Sequence, residues 1–281
     1  MKKLIQKCVE LSVRWVVLFA NGTSFGRYVL SQLISAVMSR NRLVKHKDVG
    51  LTFAVPNSLN NFRIDTFSTK EPETLEWIDS MPGGSVIWDV GANVGLYTCY
   101  AAKTKGCRVF AFEPSVFNLE LLARNIYLNG LSDKVVIVPL PLSDMFSFST
   151  LNMTSTEWGG ALSTFGQSYG QDGRALNKIF EFQTIGISMV DAMESLKIPQ
   201  PDFIKMDVDG IEHLILKGGA PVLANIKGAL IEINEEFQKQ SVNSSQYLTD
   251  ANLVLKEKRQ SEMFKNSAYK NSYNQIWHRP C

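Results

Sequence analysis

The chain has 281 residues, 45% hydrophobic and 20% charged, enough to bury a core without disulfides, as one large domain or one domain with an appendage. Its four cysteines, Cys8, Cys99, Cys107 and Cys281, are scattered, with no CxxC pair or metal-finger spacing; this argues against a disulfide framework and for reduced thiols in a cytoplasmic protein. The net charge of +2 hides an asymmetry: residues 1–47 carry nine Lys or Arg against Glu10 alone, so an arm of +8 precedes a body of −6.

The arm is also apolar in a helical rhythm. Leu4, Cys8, Leu11, Trp15 and Leu18 recur every three or four residues, and "FGRYVLSQLISAVMSRNRL" repeats the pattern after Asn21-Gly22. Lys7, Glu10 and Arg14 interrupt the first helix, leaving "WVVLFA" as its longest clean apolar run, too short to span a bilayer and a poor secretory signal. Two readings stand: a helical hairpin packed on the body or on a second subunit of a homo-oligomer, or a basic amphipathic anchor on an anionic membrane face or polyanion. The division expected is an arm over 1–47 and one folded domain over 48–281.

Residues 51–82 hold short strand-like pieces, then "EPETLEWIDSMPGG", which reads as a helix leading into the first strand. From Val86 the chain alternates strand and helix. The strands are "VIWDV" (86–90), "RVFAFE" (108–113), "VVIVPL" (135–140), "FIKMDV" (203–208) and "GALIEIN" (228–234). They are apolar on both faces, as parallel strands between helix layers must be. "NLVLKEK" and "NQIWHRP" predict an antiparallel edge pair, giving an open, doubly wound α/β sheet. Residues 141–188 break the alternation and read as a β-hairpin excursion whose loop, from about Thr154 to Arg174 with Trp158 and Tyr169, would act as a lid.

In such a sheet ligands sit at the carboxyl ends of the strands. The first strand is followed by "DVGANVG", where Gly91 and Gly95 permit a tight turn behind Asp89. Asn93 breaks the dinucleotide spacing, and a strand-end carboxylate suits a cofactor carrying an ammonium and a sulfonium better than a pyrophosphate. Glu113, ending the second strand, is placed to accept both hydroxyls of a ribose.

"VIWDVGANVGLYT", "AFEPSVFNLELLARNIYLNGL", "PLSD" and "DFIKMDVDGIEHLILKGG", in that order, resemble the FkbM family of S-adenosylmethionine-dependent methyltransferases over roughly residues 62–237. The resemblance implies a class I methyltransferase (Rossmann-like) fold and methyl transfer to a hydroxyl. It places Asp89, Gly91, Asn93 and Gly95 in the cofactor loop, Glu113 at the ribose, and Ser143 and Asp144 where adenine contacts fall. Asp209 stands where the family usually has Glu, and "ISMVDAM" where a "TLD"-like stretch is expected.

Three readings of the acids in "KMDVDGIEH" compete. Asp209 and Glu212 have the form of a capping box before the apolar run "LILKGGAPVL". A divalent metal held by Asp207 with Glu232 or Asn234 is possible but not favoured. For acid/base chemistry Asp207 is the first choice, with His213 and Glu232 behind it. The leading expectation is a cytoplasmic O-methyltransferase acting on a sugar, glycolipid or secondary metabolite, with the arm allowing a peripheral place at the inner membrane face. A non-catalytic scaffold and a nucleic-acid methyltransferase are the alternatives; no nucleic acid is expected, because "MDVDG" stands where base N-methylating enzymes carry an Asn/Asp-Pro-Pro-aromatic element.

Overall fold

Two helices joined at Gly22-Thr23 and a β-hairpin precede the alternating units. The computed structural model describes residues 2–265, 267 and 269–280, so Cys281 lies outside the described residues. Helices α1 (Lys2–Asn21) and α2 (Ser24–Met38) pack against each other, and strands β1 (Asn41–His46) and β2 (Val49–Ala54) pair antiparallel. Helices α3 (Ser58–Asp65) and α4 (Pro72–Ser80) follow, α4 with its proline in the first turn, where the missing N–H costs nothing.

The alternating region runs β3 (Val86–Val90), α5 (Leu96–Lys105), β4 (Arg108–Phe112), α6 (Val116–Leu128) and β5 (Val135–Val138). The excursion contributes β6 (Ser147–Met153), β7 (Ser163–Phe165) and β8 (Phe180–Gly186), a three-stranded antiparallel sheet with β6 in the middle. A short strand thus occupies part of the segment expected to be loop. The chain returns through α7 (Met189–Glu194), β9 (Phe203–Met206), α8 (Glu212–Lys217), α9 (Ala220–Leu223), β10 (Gly228–Asn234), α10 (Gln238–Asp250), β11 (Val254–Arg259) and β12 (Ser272–His278).

The main sheet has the order β11-β12-β10-β9-β3-β4-β5. β10, β9, β3, β4 and β5 are parallel, while β12 runs antiparallel to both neighbours and lies between β10 and β11. The predicted antiparallel pair is present, with the last strand inserted inside the edge.

Strand order reverses at β3, whose successor β4 lies on one side and β9 on the other. The loops leaving β3 and β9 therefore diverge and open a crevice at their carboxyl ends. One sheet face is closed by Val90, Phe112, Met206, Ile211, Ile215 and neighbours, the other by Leu75, Trp77, Tyr100, Ala101, Leu122 and neighbours, all buried. Two such layers leave the strands no polar face, which is why they read as continuous apolar runs. Cys99 and Cys107 lie in the second layer as free thiols, burial raising that of Cys99 to about 12.

Candidate active site

The loop after β3 is shaped by backbone that only certain residues accept. Gly91 has φ +82°, and a Cβ there would stand 1.9 Å from the Asp207 carbonyl oxygen, so the β3 and β9 loops touch through bare backbone. Asn93 is also left-handed, at φ +51°. It donates through Nδ2 to the Gly160 carbonyl at 2.9 Å, and its amide donates to Glu113 Oε2 at 2.7 Å. Glu113 Oε1 accepts from the Ser115 amide at 2.8 Å. Burial raises the Glu113 carboxyl to about 7 against these hydrogen bonds, so it gains its charge near neutrality.

Asp89 is buried at the end of β3 and accepts from Thr98 Oγ1, while its other oxygen has no hydrogen-bond partner. Burial raises its carboxyl, and Lys205 opposes that shift from 3.7 Å. Lys205 is itself buried in β9, 3.4 Å from Asp207 and over the ring of Tyr97. Burial would lift Asp207, but the Lys205 ammonium and a hydrogen bond from the Glu232 carboxyl outweigh it and hold Asp207 down to about 2. Glu232 moves the other way, raised far above the usual range by burial and by the Asp207 charge. The opposed shifts are those of two carboxyls sharing one proton, with Glu232 the donor in the hydrogen bond to Asp207. Asp207, Glu232 and Lys205 line a cavity of about 280 Å³ together with Gly91, Asn93, Tyr97, Arg63, Lys70 and Glu71.

Asp209 corrects the capping-box expectation. It sits at φ +61°, in the left-handed region and not the extended one an N-cap adopts, and α8 starts at Glu212 behind Ile211 with no side-chain cap. Asp209 lines the cavity, and its carboxylate accepts from the Leu162 amide at 2.7 Å, tying the β9 loop to the segment before β7. Burial and the charges of Asp207 and Glu212 raise it to about 7. Glu212 does fold back on its loop, accepting from the Val208 amide at 3.0 Å and the Gly210 amide at 3.1 Å, with Gln240 as a third donor.

Other expected residues fall elsewhere. His213 lies on α8 with its ring edge-on to Phe237, away from the cavity; burial lowers it to about 4 and neither ring nitrogen has a partner. It is a neutral packing residue in this setting. Ser143 and Asp144 line neither the large cavity nor a second, apolar one beside Pro114, Leu140, Pro141 and Leu142; Ser143 donates its amide to the Ile187 carbonyl, and Asp144 pairs with Lys217 at 3.0 Å. Among the described residues no three His, Cys, Asp or Glu side chains converge as metal ligands.

Sequence reasoning passed over Arg63, Lys70, Glu71 and Tyr97. Lys70 pairs with Glu71 at 2.6 Å, the Tyr97 hydroxyl donates to Glu71, and Arg63 donates to the Gly159 carbonyl while its Nε stays buried without a partner. The available signal was Lys205 itself: a lysine inside an apolar parallel strand demands buried counter-charges.

The segment expected to be a lid borders this crevice through Ala161, Leu162 and Gln171. Trp158 packs near Ala54, Val94 and Leu121, and its carbonyl accepts from Asn60 Nδ2 at 2.8 Å and Asn57 Nδ2 at 3.0 Å. Tyr169 meets Phe237 edge-on.

A strand order that reverses at β3, a reversed β12 beside β10 and a glycine loop facing a strand-end acid together define a class I, Rossmann-like methyltransferase fold. Residues 89–260 match the family model described as the methyltransferase FkbM domain, more than half of the chain, and the chain belongs to that family. It is 29% identical over 174 residues to the hexuronic acid methyltransferase AglP of Haloferax volcanii, a match spanning 60% of this chain and 63% of that one. Among solved structures it is similar to the precorrin-6y C5,15-methyltransferase of Geobacter metallireducens, at 15% identity and TM-score 0.44 over 75% of this chain and 87% of that one. It is similar too to the tRNA M1A22 methyltransferase TrmK of B. subtilis, at 13% identity and TM-score 0.42 over 75% and 66%.

Proposed function

We propose that this chain transfers a methyl group from S-adenosylmethionine to a hydroxyl of an acidic sugar. The observation that carries the proposal is the juxtaposition, in one cavity, of the Gly91–Val94 loop with the buried Lys205 and the half-buried Asp207 and Glu232. The residues present fit the cofactor: Asp89 Oδ1, 3.7 Å from Lys205, accepts no hydrogen bond among the described residues and could take one from an ammonium, and Glu113 retains acceptor capacity on both oxygens for ribose hydroxyls. Bound there, S-adenosylmethionine would supply a methyl carbon made electrophilic by its sulfonium.

The apolar cavity beside Pro114 and Leu140 holds about 30 Å³, room for water rather than a purine. Ser163 and Phe165 of β7 wall it, so seating adenine requires the excursion to withdraw. Arg63, Asn118 and Asp209, which hold the Gly159–Leu162 backbone, are the contacts such a movement breaks or stretches.

Asp207, ionised at neutral pH, accepts a hydrogen bond from the acceptor hydroxyl and turns an oxygen lone pair toward the cofactor loop. On methyl transfer to the acceptor oxygen, the hydroxyl proton would leave along that same hydrogen bond to Asp207. A carboxylate held at about 2 is a weak base, so alignment supplies more of the rate than proton removal. Lys205 keeps Asp207 charged, and Glu232, by donating to it, fixes which oxygen faces the cavity.

An acidic acceptor is supported by the relative's name, which specifies a hexuronic acid, and by Arg63 and Lys70 on the cavity wall. A guanidinium with a free buried N–H suits a uronate carboxylate. The test is a labelled-methyl transfer assay on uronic acid glycosides and their neutral counterparts, with calorimetric titration of S-adenosylmethionine alongside. Absence of cofactor binding would overturn the whole reading; binding with transfer only to neutral sugars would overturn the acceptor.

A further inference from the structure

The hairpin of α1 and α2 carries an apolar surface that the body of the protein does not use. Among the residues whose exposure is described along both helices, only Gly26 is buried. A Cβ at Gly26 would stand 2.1 Å from the Ala20 carbonyl oxygen, so the helices meet backbone to backbone. The tip is a built turn: Thr23 Oγ1 accepts from the Gly26 amide at 2.9 Å, and Arg27 donates to the Asn21 carbonyl at 2.9 Å, closing the end of α1.

Large side chains crowd that turn. Trp15 is 72% exposed, Phe19 86%, Phe25 76% and Tyr28 61%, with Leu18 beside them. On α1, Leu4, Leu11, Trp15 and Leu18 share one stripe, while Lys7, Glu10 and Arg14 share another. A contiguous apolar surface of this kind marks a place where something docks.

Charge identifies the occupant. Arg42 pairs with Asp65 and Lys47 with Asp79, but Lys7, Arg14, Arg40 and Lys45 are exposed and make no ion pair among the described residues. The only acid in 1–47 is Glu10. No described helix is long and apolar enough to cross a membrane. Exposed aromatics at a helical tip, free bases on the flanks and no span together describe an element lying in the plane of a bilayer interface. We propose that the α1–α2 hairpin docks on an anionic lipid surface, with Trp15, Phe19, Phe25 and Tyr28 at the headgroup boundary and the free bases against the headgroups.

The test uses the full chain sedimented with phosphatidylcholine vesicles, with and without phosphatidylserine. Sedimentation with the anionic vesicles is expected, weakened at least about tenfold by the double variant Phe19→Ser and Phe25→Ser and steeply by added salt. Trp15 fluorescence should be quenched by brominated acyl chains, and Trp15→Phe should lose that quenching. Cofactor binding by the double variant should equal that of the parent, since neither residue lines the cavity. Failure to sediment with either vesicle overturns the proposal, whether the chain is then a monomer or a dimer that dissociates in the double variant. Equal, salt-insensitive sedimentation with both vesicle types overturns the anionic preference.

Discussion

The ammonium of Lys205 lies 3.4 Å from the carboxylate of Asp207 and 3.7 Å from that of Asp89, so one buried cation neutralises acids at the ends of two adjacent strands. In Lys205→Met both acids lose that compensation, and Asp89, fully buried, has no solvent to replace it. Stripping one partner from a buried ion cluster costs about 3–5 kcal/mol. A fall in melting temperature on the order of 10 °C follows for a chain of this size. An unchanged melting temperature at neutral pH would sink the claim that Lys205 carries this balance.

The proton between Asp207 and Glu232 gives two substitutions unequal effects. Asp207→Asn removes the charge that orients the acceptor, and transfer should drop on the order of a hundredfold with cofactor affinity nearly unchanged. Glu232→Gln still offers a donor to Asp207 and should cost about tenfold or less. Single-turnover transfer rates and calorimetric affinities separate the two, and equal losses would contradict the placement of the proton on Glu232.

Glu113 is raised from 4.5 to about 7, first by burial. A carboxyl raised on folding contributes stability that is fully present below its unfolded value and is lost as pH rises through its folded one. Its share of stability in the cofactor-free chain should therefore decline from about pH 4.5 upward through 7. Cofactor affinity should run oppositely, increasing through about 7 as the acceptor for the ribose hydroxyls ionises. Titrations between about pH 5.5 and 8.5 on the parent and on Glu113→Gln check this; a variant with the same pH slope as the parent would show that another group is responsible.

The strands were legible in the sequence because burial on both faces leaves one pattern, and "VIWDV" and "GALIEIN" are strands over the expected residues. Asp209 was not. An acid three residues before a Glu satisfies the capping pattern equally well at φ +61°, and only the lid, 47 residues away, supplies the amide that claims its carboxylate. Arg63, Lys70 and Glu71 were hidden for the same reason, since they come from the segment before the first sheet strand and meet β9 only through the fold. β12 could be recognised as a strand, yet its insertion between β10 and β11 depends on pairing partners that local sequence does not encode.

Asp209 holds the lid through the Leu162 amide, so Asp209→Ala should loosen residues 154–174 without unfolding the sheet. Limited proteolysis should cut that segment faster in the variant, while the melting temperature shifts little. Lowering the pH below about 7 should mimic the variant in the parent, because protonation weakens acceptance of the Leu162 N–H. A lid equally resistant in both proteins at all pH values would mean that the Trp158 and Gly160 carbonyl contacts suffice to hold it.

Arg63 bears on the acceptor and not on the cofactor. Its buried Nε has no hydrogen-bond partner among the described residues, while its Nη2 donates to the Gly159 carbonyl. Arg63→Gln keeps a donor for the lid but removes the charge offered to a carboxylate. KM for a uronic acid acceptor should rise about tenfold or more, with little change in KM for the neutral sugar of the same stereochemistry. Comparing kcat and KM for the two acceptors on parent and variant makes the measurement, with cofactor affinity as the control. A variant that loses both acceptors equally would reduce Arg63 to a support for the lid, and the carboxylate would have to be read by Lys70, which is already paired with Glu71.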